Sequence, residues 1–301
     1  MPELPEVETL RRQLSPVLTG TRVLDVVVHD ARLCEPLPVG ELEAALLGRV
    51  VLQIARRGKH LLFELGDGSW LVLHLRMTGN LLVVEQRSPR LRYERARFTF
   101  ERRAERDECA LAFCDPRRFG TAQVFPDRSR LLAWLEARLG PEPLSDRFDA
   151  DILGAAIAGR RAPIKALLLD QRVLAGVGNI YADEALFRAG IHPARPACKL
   201  RRAELEALVS AIKAALEAGI EHQGASIDDF RHSDGRRGRF QDEFLVHRRL
   251  GQPCPRCGEK IRKERIAGRG TYYCRRCQPP PRARRRAAPA DAPRGRPPRA
   301  R

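Results

Sequence analysis

The sequence predicts a multidomain α+β protein: an N-terminal helix leading into a β-sandwich or barrel, then a helical region, then a zinc-ribbon hairpin. Three observations predict it. Residues 21–125 break into short apolar or alternating runs, apolar spacing turns helical from about residue 129, and two Cys-x2-Cys pairs stand near the C-terminus.

The first helix is expected over residues 5–14. Pro5 suits a first helical position, Glu6 and Glu8 the first turn, and Leu4, Val7, Leu10 and Leu14 share the core-facing side. Strands are predicted at 23–28, 50–54, 60–65, 70–74, 81–84, 98–100 and 111–113, with Gly66-Asp67-Gly68 and Gly79-Asn80 as turns. A two-sheet sandwich is the economical way to bury so many short strands. Leu131, Leu132, Leu135 and Leu139 then suit a helix. Segments 163–169 and 181–189 read as helices flanking Ala175-Gly176-Val177-Gly178-Asn179. Leu205, Leu208, Ile212 and Leu216 mark an amphipathic helix. No internal repeat is visible. The Arg- and Pro-rich segment 279–301 cannot bury a core and is expected to be disordered, either a nucleic-acid tether or a passive solvated tail.

The formal charge is +17; residues 279–301 carry eight Arg and one Asp, which leaves +10 on residues 1–278. A basic body favours a polyanionic partner, nucleic acid first, with binding that weakens steeply in salt. No signal peptide or run of ~20 apolar residues is visible, so a cytoplasmic protein without membrane attachment is expected. Cys34, Cys109, Cys114 and Cys198 are scattered, whereas Cys254, Cys257, Cys274 and Cys277 cluster. In a reducing compartment that cluster reads as a metal site rather than as disulfides. Two thiolate pairs separated by sixteen residues fit one tetrahedral zinc on a two-stranded hairpin, with strands at 261–267 and 271–273 and Gly268-Arg269-Gly270 at the tip. Four protein thiolates leave no open coordination position, so the zinc is structural. Arg269 is either a probe for DNA phosphates or minor groove, or an idle turn residue.

Chemistry is foreseen at the N-terminus. With Met1 removed, Pro2 presents a secondary amine titrating near pH 8. Its attack on an aldehyde-level carbon gives an iminium that cannot lose its charge by shedding an N–H proton, a lasting electron sink. Glu3 stands one residue away as a proton donor. Helix initiation accounts for residues 5–14 but not for Pro2 and Glu3. Gly176-Val177-Gly178 opening into a helix, with Asn179 as cap, fits a phosphate seat or equally a tight interhelical turn. In Asp115-Pro116-Arg117-Arg118-Phe119-Gly120, Phe119 is a candidate DNA wedge or a core residue, and Arg117 a candidate partner for an orphaned base. Met77 fills the same gap or packs the core. Lys59 is a solvated charge, a phosphate anchor or a proton shuttle; His60 and His74 are structural or phosphate-facing.

These motifs together resemble the formamidopyrimidine-DNA glycosylases across residues 1–278: Pro-Glu-Leu-Pro-Glu-Val-Glu-Thr at 2–9, Lys59, Met77, Asp-Pro-Arg-Arg-Phe-Gly at 115–120, Gly-Val-Gly-Asn-Ile-Tyr-Ala at 176–182 and the zinc hairpin. The resemblance implies a catalytic β-sandwich (1–128), a helix–two-turns–helix module (129–250) and a zinc finger (251–278). Double-stranded DNA bearing oxidised bases or abasic sites would lie in the cleft. It further implies a monomer associated with the nucleoid through DNA, in which Pro2 attacks C1′ and Glu3 assists sugar opening. By the same resemblance, Lys59 would serve β-elimination and Arg269 δ-elimination. Met77, Arg117 and Phe119 would fill the void left by the extruded base. Asn179 and Arg269 would pinch phosphates, with Arg160 and Lys165 as further basic contacts. Tyr93 departs from a DNA-contacting His of many members. The stretch 228–241, which resembles the loop over the flipped base, carries extra arginines. Two other readings stand beside this one: an endonuclease VIII-like enzyme for oxidised pyrimidines, and a zinc-ribbon DNA-binding protein without catalysis.

Overall fold

Leu4–Leu18 form the first helix, α1, and its apolar residues serve two cores. Leu4 packs among the helical residues of the middle of the chain, while Val7, Leu10, Leu14 and Leu18 enter the sandwich. Leu4 therefore does not share the face predicted for it. The helix also starts one residue earlier than expected, with Glu3 as N-cap and the Glu3 amide donating to Glu6 Oε2 at 2.7 Å. The computed structural model describes residues 1–101, 109–227 and 230–281. The tail predicted to be disordered lies almost wholly outside the described residues, as do two residues of the 228–241 stretch.

Two four-stranded antiparallel sheets follow. β1 (Val23–Val28), β6 (Glu94–Phe100), β7 (Cys109–Cys114) and β5 (Asn80–Glu85) form one, in that order. β2 (Val51–Arg57), β3 (His60–Leu65), β4 (Trp70–His74) and β8 (Thr121–Phe125) form the other. Their facing residues, among them Val26, Phe63, Leu73, Phe98 and Phe113, make one core, closed at one side by α1. The sandwich alternative, rather than a barrel, is realised. β8 escaped prediction because Ala122 is its only buried residue, which leaves no alternation to read. The helix α2 (Val39–Leu46) follows a proline-rich stretch and buries only Leu42 and Leu46.

α3 (Arg128–Glu136) lays Leu131 and Leu135 on Leu62, Trp70 and Val72, the outer face of the second sheet. Leu139 joins this cluster from beyond the helix end. α4 (Ala150–Ile157) was not foreseen, although Asp149 caps it by accepting from the amides of Asp151 and Ile152, both at 2.9 Å. With α5 (Ile164–Leu169), α6 (Asn179–Arg188) and α7 (Arg202–Glu221) it builds the second core. β9 (Arg262–Ile266) and β10 (Arg269–Tyr273) form the C-terminal hairpin. No helix among the described residues is long and apolar enough to cross a membrane.

Glu8 on α1 accepts from Arg11, Arg12 and Arg56, and this set of guanidinium groups outweighs burial and holds its carboxyl down to about 2. A carboxyl depressed on folding stabilises the fold above its unfolded pKa, and loses that contribution as pH falls through the folded value. Glu8→Gln is therefore expected to cost about 1–2 kcal/mol near neutrality, less than the full shift would give because solvent screens the half-buried Arg11 and exposed Arg12 partners, and almost nothing near pH 2. Urea unfolding of both proteins across pH 2–7 checks this; a penalty that does not vary with pH would contradict it.

Candidate active site at the domain junction

A cavity of about 290 Å³ opens where α1, the sandwich, α6 and the C-terminal hairpin meet. Pro2, Glu3, Lys59, Met77, Arg117, Asn179 and Arg269, residues far apart in sequence, all line it. Glu3 is buried, and its carboxylate does not float in the cavity. Oε1 accepts from the amide of Ile180 at 3.0 Å and Oε2 from that of Tyr181 at 3.4 Å. These are orphan donors of the first turn of α6, whose positive end favours an anion. The N-cap of α6 is Gly178, not Asn179 as expected. The anion seated at this helix start is thus a carboxylate of the same chain, so of the two readings left open by the sequence these amides follow the interhelical turn and not the phosphate seat.

The two glycines explain themselves here. A Cβ on Gly178 would lie 2.3 Å from Glu3 Cδ, and one on Gly176, at φ +83°, would lie 2.6 Å from Leu4 Cδ1. Gln171 holds the turn between them by accepting from Gly176 N and donating to Val177 O, both at 2.9 Å. The Leu4 amide then donates to Gly176 O at 3.0 Å. The N-terminus is pinned to the helical module on both sides of Glu3. Beneath it, buried Glu6 accepts from Tyr181 Oη at 2.8 Å and Ala225 N at 2.7 Å; burial, with Glu3 nearby, pushes its carboxyl up.

Lys59 is buried, not the solvated charge that is ordinary for a lysine entering a strand. It occupies the turn between β2 and β3. Burial pulls its ammonium below the usual lysine range, although Glu3 and Glu6 oppose the shift. The wedge candidates stand on two loops joined by one carboxylate. Asp115 accepts from Thr78 Oγ1 beside Met77, and from the amides of Arg117 at 3.1 Å and of Phe119 and Gly120 at 2.8 Å. Phe119 is 51 % exposed, which rules out the core reading, and the Arg117 guanidinium lies over its ring at 4.9 Å. Met77 is half-buried at the cavity wall. Arg118 turns away and pairs with Asp30.

In the hairpin, β10 starts at Arg269, and the tip is Ala267-Gly268. Arg269 therefore enters the cavity from a strand and not from the turn. Its backing is a buried polar chain. Lys165 Nζ meets Asp183 Oδ1 at 2.6 Å and donates to Thr271 Oγ1 at 2.8 Å, while Asn179 Nδ2 donates to Gly270 O at 3.0 Å. The Lys165 side chain is wholly buried, so the direct DNA contact expected of it is corrected to an internal tie between helices and hairpin. Asp183 Oδ2 accepts from Tyr272 N at 3.2 Å and pairs with His247 Nδ1 at 2.9 Å; His247 also lines the cavity. Neither Asp183 nor His247 was singled out by sequence.

Cys254, Cys257, Cys274 and Cys277 have their Sγ atoms within 4.8 Å of one another. The Cys254–Cys277 and Cys257–Cys274 pairs are 3.8 and 3.5 Å apart, near the ~3.8 Å edge that four 2.3 Å zinc–thiolate bonds give a tetrahedron. These residues fit one structural zinc. Tyr93 and Arg160 stand away from the cavity. Tyr93 is exposed, at φ 63°, under the Arg92 guanidinium. Arg160 is exposed, 3.8 Å from Asp170. His60 and His74 pack edge to face at 4.4 Å; burial lowers both, His60 to about 4, so the pair is neutral and structural.

The model of the formamidopyrimidine-DNA glycosylase N-terminal domain matches residues 1–122, that of the corresponding H2TH domain 139–231, and that of the zinc finger found in these proteins and isoleucyl-tRNA synthetases 251–280. The chain belongs to the formamidopyrimidine-DNA glycosylase family. A relative of that name from Methylococcus capsulatus is 45 % identical, over 92 % of this chain and all of its own length; one from Alkalilimnicola ehrlichii is 44 % identical with the same coverage. Among solved structures, a point mutant of the Lactococcus lactis Fpg in complex with Fapy-dG-containing DNA superposes with a TM-score of 0.86 at 34 % identity, over 93 % of this chain and all of that one. The Lactococcus lactis Fpg in complex with abasic-site DNA gives 0.85 at the same identity, over 92 % of this chain and all of that one.

Two outcomes test this glycosylase-family site. Gly178→Ala drives a methyl into the Glu3 carboxylate and is expected to lower kcat/KM on lesion DNA on the order of 100-fold, with circular dichroism and zinc content unchanged. A parent-like rate would show that the Glu3 seat does not matter. Chelation of the zinc is expected to abolish DNA binding while the sandwich persists; unchanged binding after verified zinc loss would exclude the hairpin from the interface.

Proposed function

We infer that the chain is a base-excision-repair DNA glycosylase with AP lyase activity, acting on duplex DNA that carries 8-oxoguanine, formamidopyrimidines or abasic sites. The observation that carries this reading is the cavity itself. It brings the Pro2 end of the chain, the Glu3 carboxylate and buried Lys59 together beside Arg269, at a mouth rimmed by Met77 and Arg117. We propose residues 1–128 as the catalytic sandwich, 129–250 as the helix–two-turns–helix module and 251–278 as the zinc finger, in a monomer working in the cytoplasm on nucleoid DNA.

The chemistry follows from what each group can do. The Pro2 nitrogen, free once Met1 is removed, bonds to C1′ as the bond to the base breaks; the base leaves with the bonding pair and takes a proton from water, while the Glu3 carboxylate takes the proline N–H proton. Glu3 then passes that proton to O4′ as the sugar opens, which leaves an iminium with its charge on the proline nitrogen. That charge acidifies the C2′ protons. Lys59, whose burial favours the neutral amine, takes one of them, and the electron pair expels the 3′ phosphate. A second elimination, with Arg269 at the phosphate, expels the 5′ phosphate. Base removal requires extrusion from the stack, and Met77, Arg117 and Phe119 are placed to occupy the space left.

Borohydride reduction with 8-oxoguanine duplex is expected to link protein to DNA through the proline nitrogen. The adduct should be absent when Met1 is retained, because that nitrogen is then an amide. No adduct from fully processed protein would leave a non-catalytic DNA-binding protein as the reading. Preferential release of thymine glycol would move the substrate class to oxidised pyrimidines.

A further inference from the structure

The turn that carries Lys59 is not held by the sandwich alone. Its preceding residues, Arg56, Arg57 and Gly58, converge on one carboxylate from outside the sandwich, that of Glu142 in the segment joining α3 to α4. Glu142 Oε1 accepts from Arg56 Nη1 at 2.5 Å. Oε2 accepts from Arg57 Nη1 at 2.7 Å and from the Gly58 amide at 3.0 Å. Arg57 also donates to Gly140 O. Gly58 adopts φ +56°, and a Cβ there would lie 3.4 Å from Ala175 Cβ and Gly176 N, so the Lys59 turn abuts the glycine turn that pins the N-terminus. Arg56 reaches in the other direction as well, with Nε donating to Glu8 Oε2 on α1 at 3.1 Å.

Glu142 does not line the cavity, and it was not singled out by sequence. Yet it stands at a node where the β2–β3 turn, helix α1 and the interdomain segment meet through charge-assisted bonds, the strong class of hydrogen bond. Two of the three donors are guanidinium groups and the third is the amide immediately before Lys59. With Glu142 gone, Arg56 keeps Glu8 and its bond to Gly58 O, but Arg57 and the Gly58 amide lose their carboxylate. The segment released is the one whose conformation aims the Lys59 side chain.

We propose that Glu142 is a positioning residue for the elimination step: its carboxylate fixes the Gly58-Lys59 turn and, through Arg56 and Glu8, sets that turn against α1, the helix that follows Pro2 and Glu3. This rests on the lyase reading above. A misplacement of ~1 Å in a reacting group costs on the order of 100-fold in rate, so a loosened turn slows proton abstraction without removing any group from the cavity.

The test measures single-turnover strand cleavage and borohydride trapping on abasic-site duplex. The proteins are the parent, Glu142→Ala, Glu142→Gln, Lys59→Met and the double variant Glu142→Ala with Lys59→Met. Parent trapping confirms the lyase reading first; its failure sinks that reading and not the positioning argument alone. Glu142→Ala is expected to slow cleavage about 10- to 100-fold, with trapping and the Kd for DNA within about threefold of the parent. Glu142→Gln, which keeps an acceptor for the Gly58 amide, should lose less. In the Lys59→Met background, Glu142→Ala should cause no further slowing. An equal further slowing there, or trapping that falls in step with cleavage, would show that Glu142 only supports the fold and would overturn the proposal. Should Glu142→Ala not fold, the same comparison is made with Glu142→Gln alone and combined with Lys59→Met, and parent-like cleavage by Glu142→Gln would then overturn the proposal.

Discussion

The contact on which the structure depends is the Glu3 carboxylate seated on the amides of Ile180 and Tyr181. Burying a carboxylate is expensive unless donors receive it, and the first turn of a helix leaves such donors without partners. Each side therefore supplies what the other lacks. The consequence is geometric: the N-terminal end of the chain is held at the start of α6, and the glycines at 176 and 178 are small because that end lies against them. A chain terminus is otherwise among the most mobile parts of a protein. Here it is fixed by the same contact that joins the sandwich to the helices.

Other buried polar links repeat this pattern at each boundary. Lys165, Asp183 and Asn179 tie the helices to the hairpin behind Arg269. Asp115 ties the Met77 and Phe119 loops together. Glu8, Arg56 and Glu142 tie α1 and the Lys59 turn to the segment between domains. Apolar packing holds each module, but it is not directional. Paired charges and amides have fixed geometry, and so they set the angles at which modules meet. That is why the cavity is lined by residues from so many elements and yet has a defined shape.

Much of the fold was legible because its signals are local. The strands at 23–28, 60–65 and 70–74 follow from runs of apolar residues bounded by turns, and α7 follows from four leucine and isoleucine positions at helical spacing. The zinc cluster follows from ligand spacing alone. β8 and α2 were not legible, since each buries only one or two residues and owes its form to neighbours. At the site, Pro2, Lys59 and Arg269 were visible as unusual residues in motif positions. Glu142, Asp183 and His247 were not, because an acidic or histidine side chain on a helix or loop carries no sign of its partner.

The sequence by itself determined the sandwich strands other than β8, most of the helices, the zinc cluster and the family, because periodicity, spacing and motif order are properties of the chain. Tertiary structure alone decided that the glycine turn receives Glu3 rather than a phosphate. It also decided that Lys165 is an internal strut and that Arg269 issues from a strand rather than a turn. The physical reason is common to all three. A charged side chain takes its role from the group it meets, and partners 177 positions apart, as Glu3 and Ile180 are, meet only when the chain has folded.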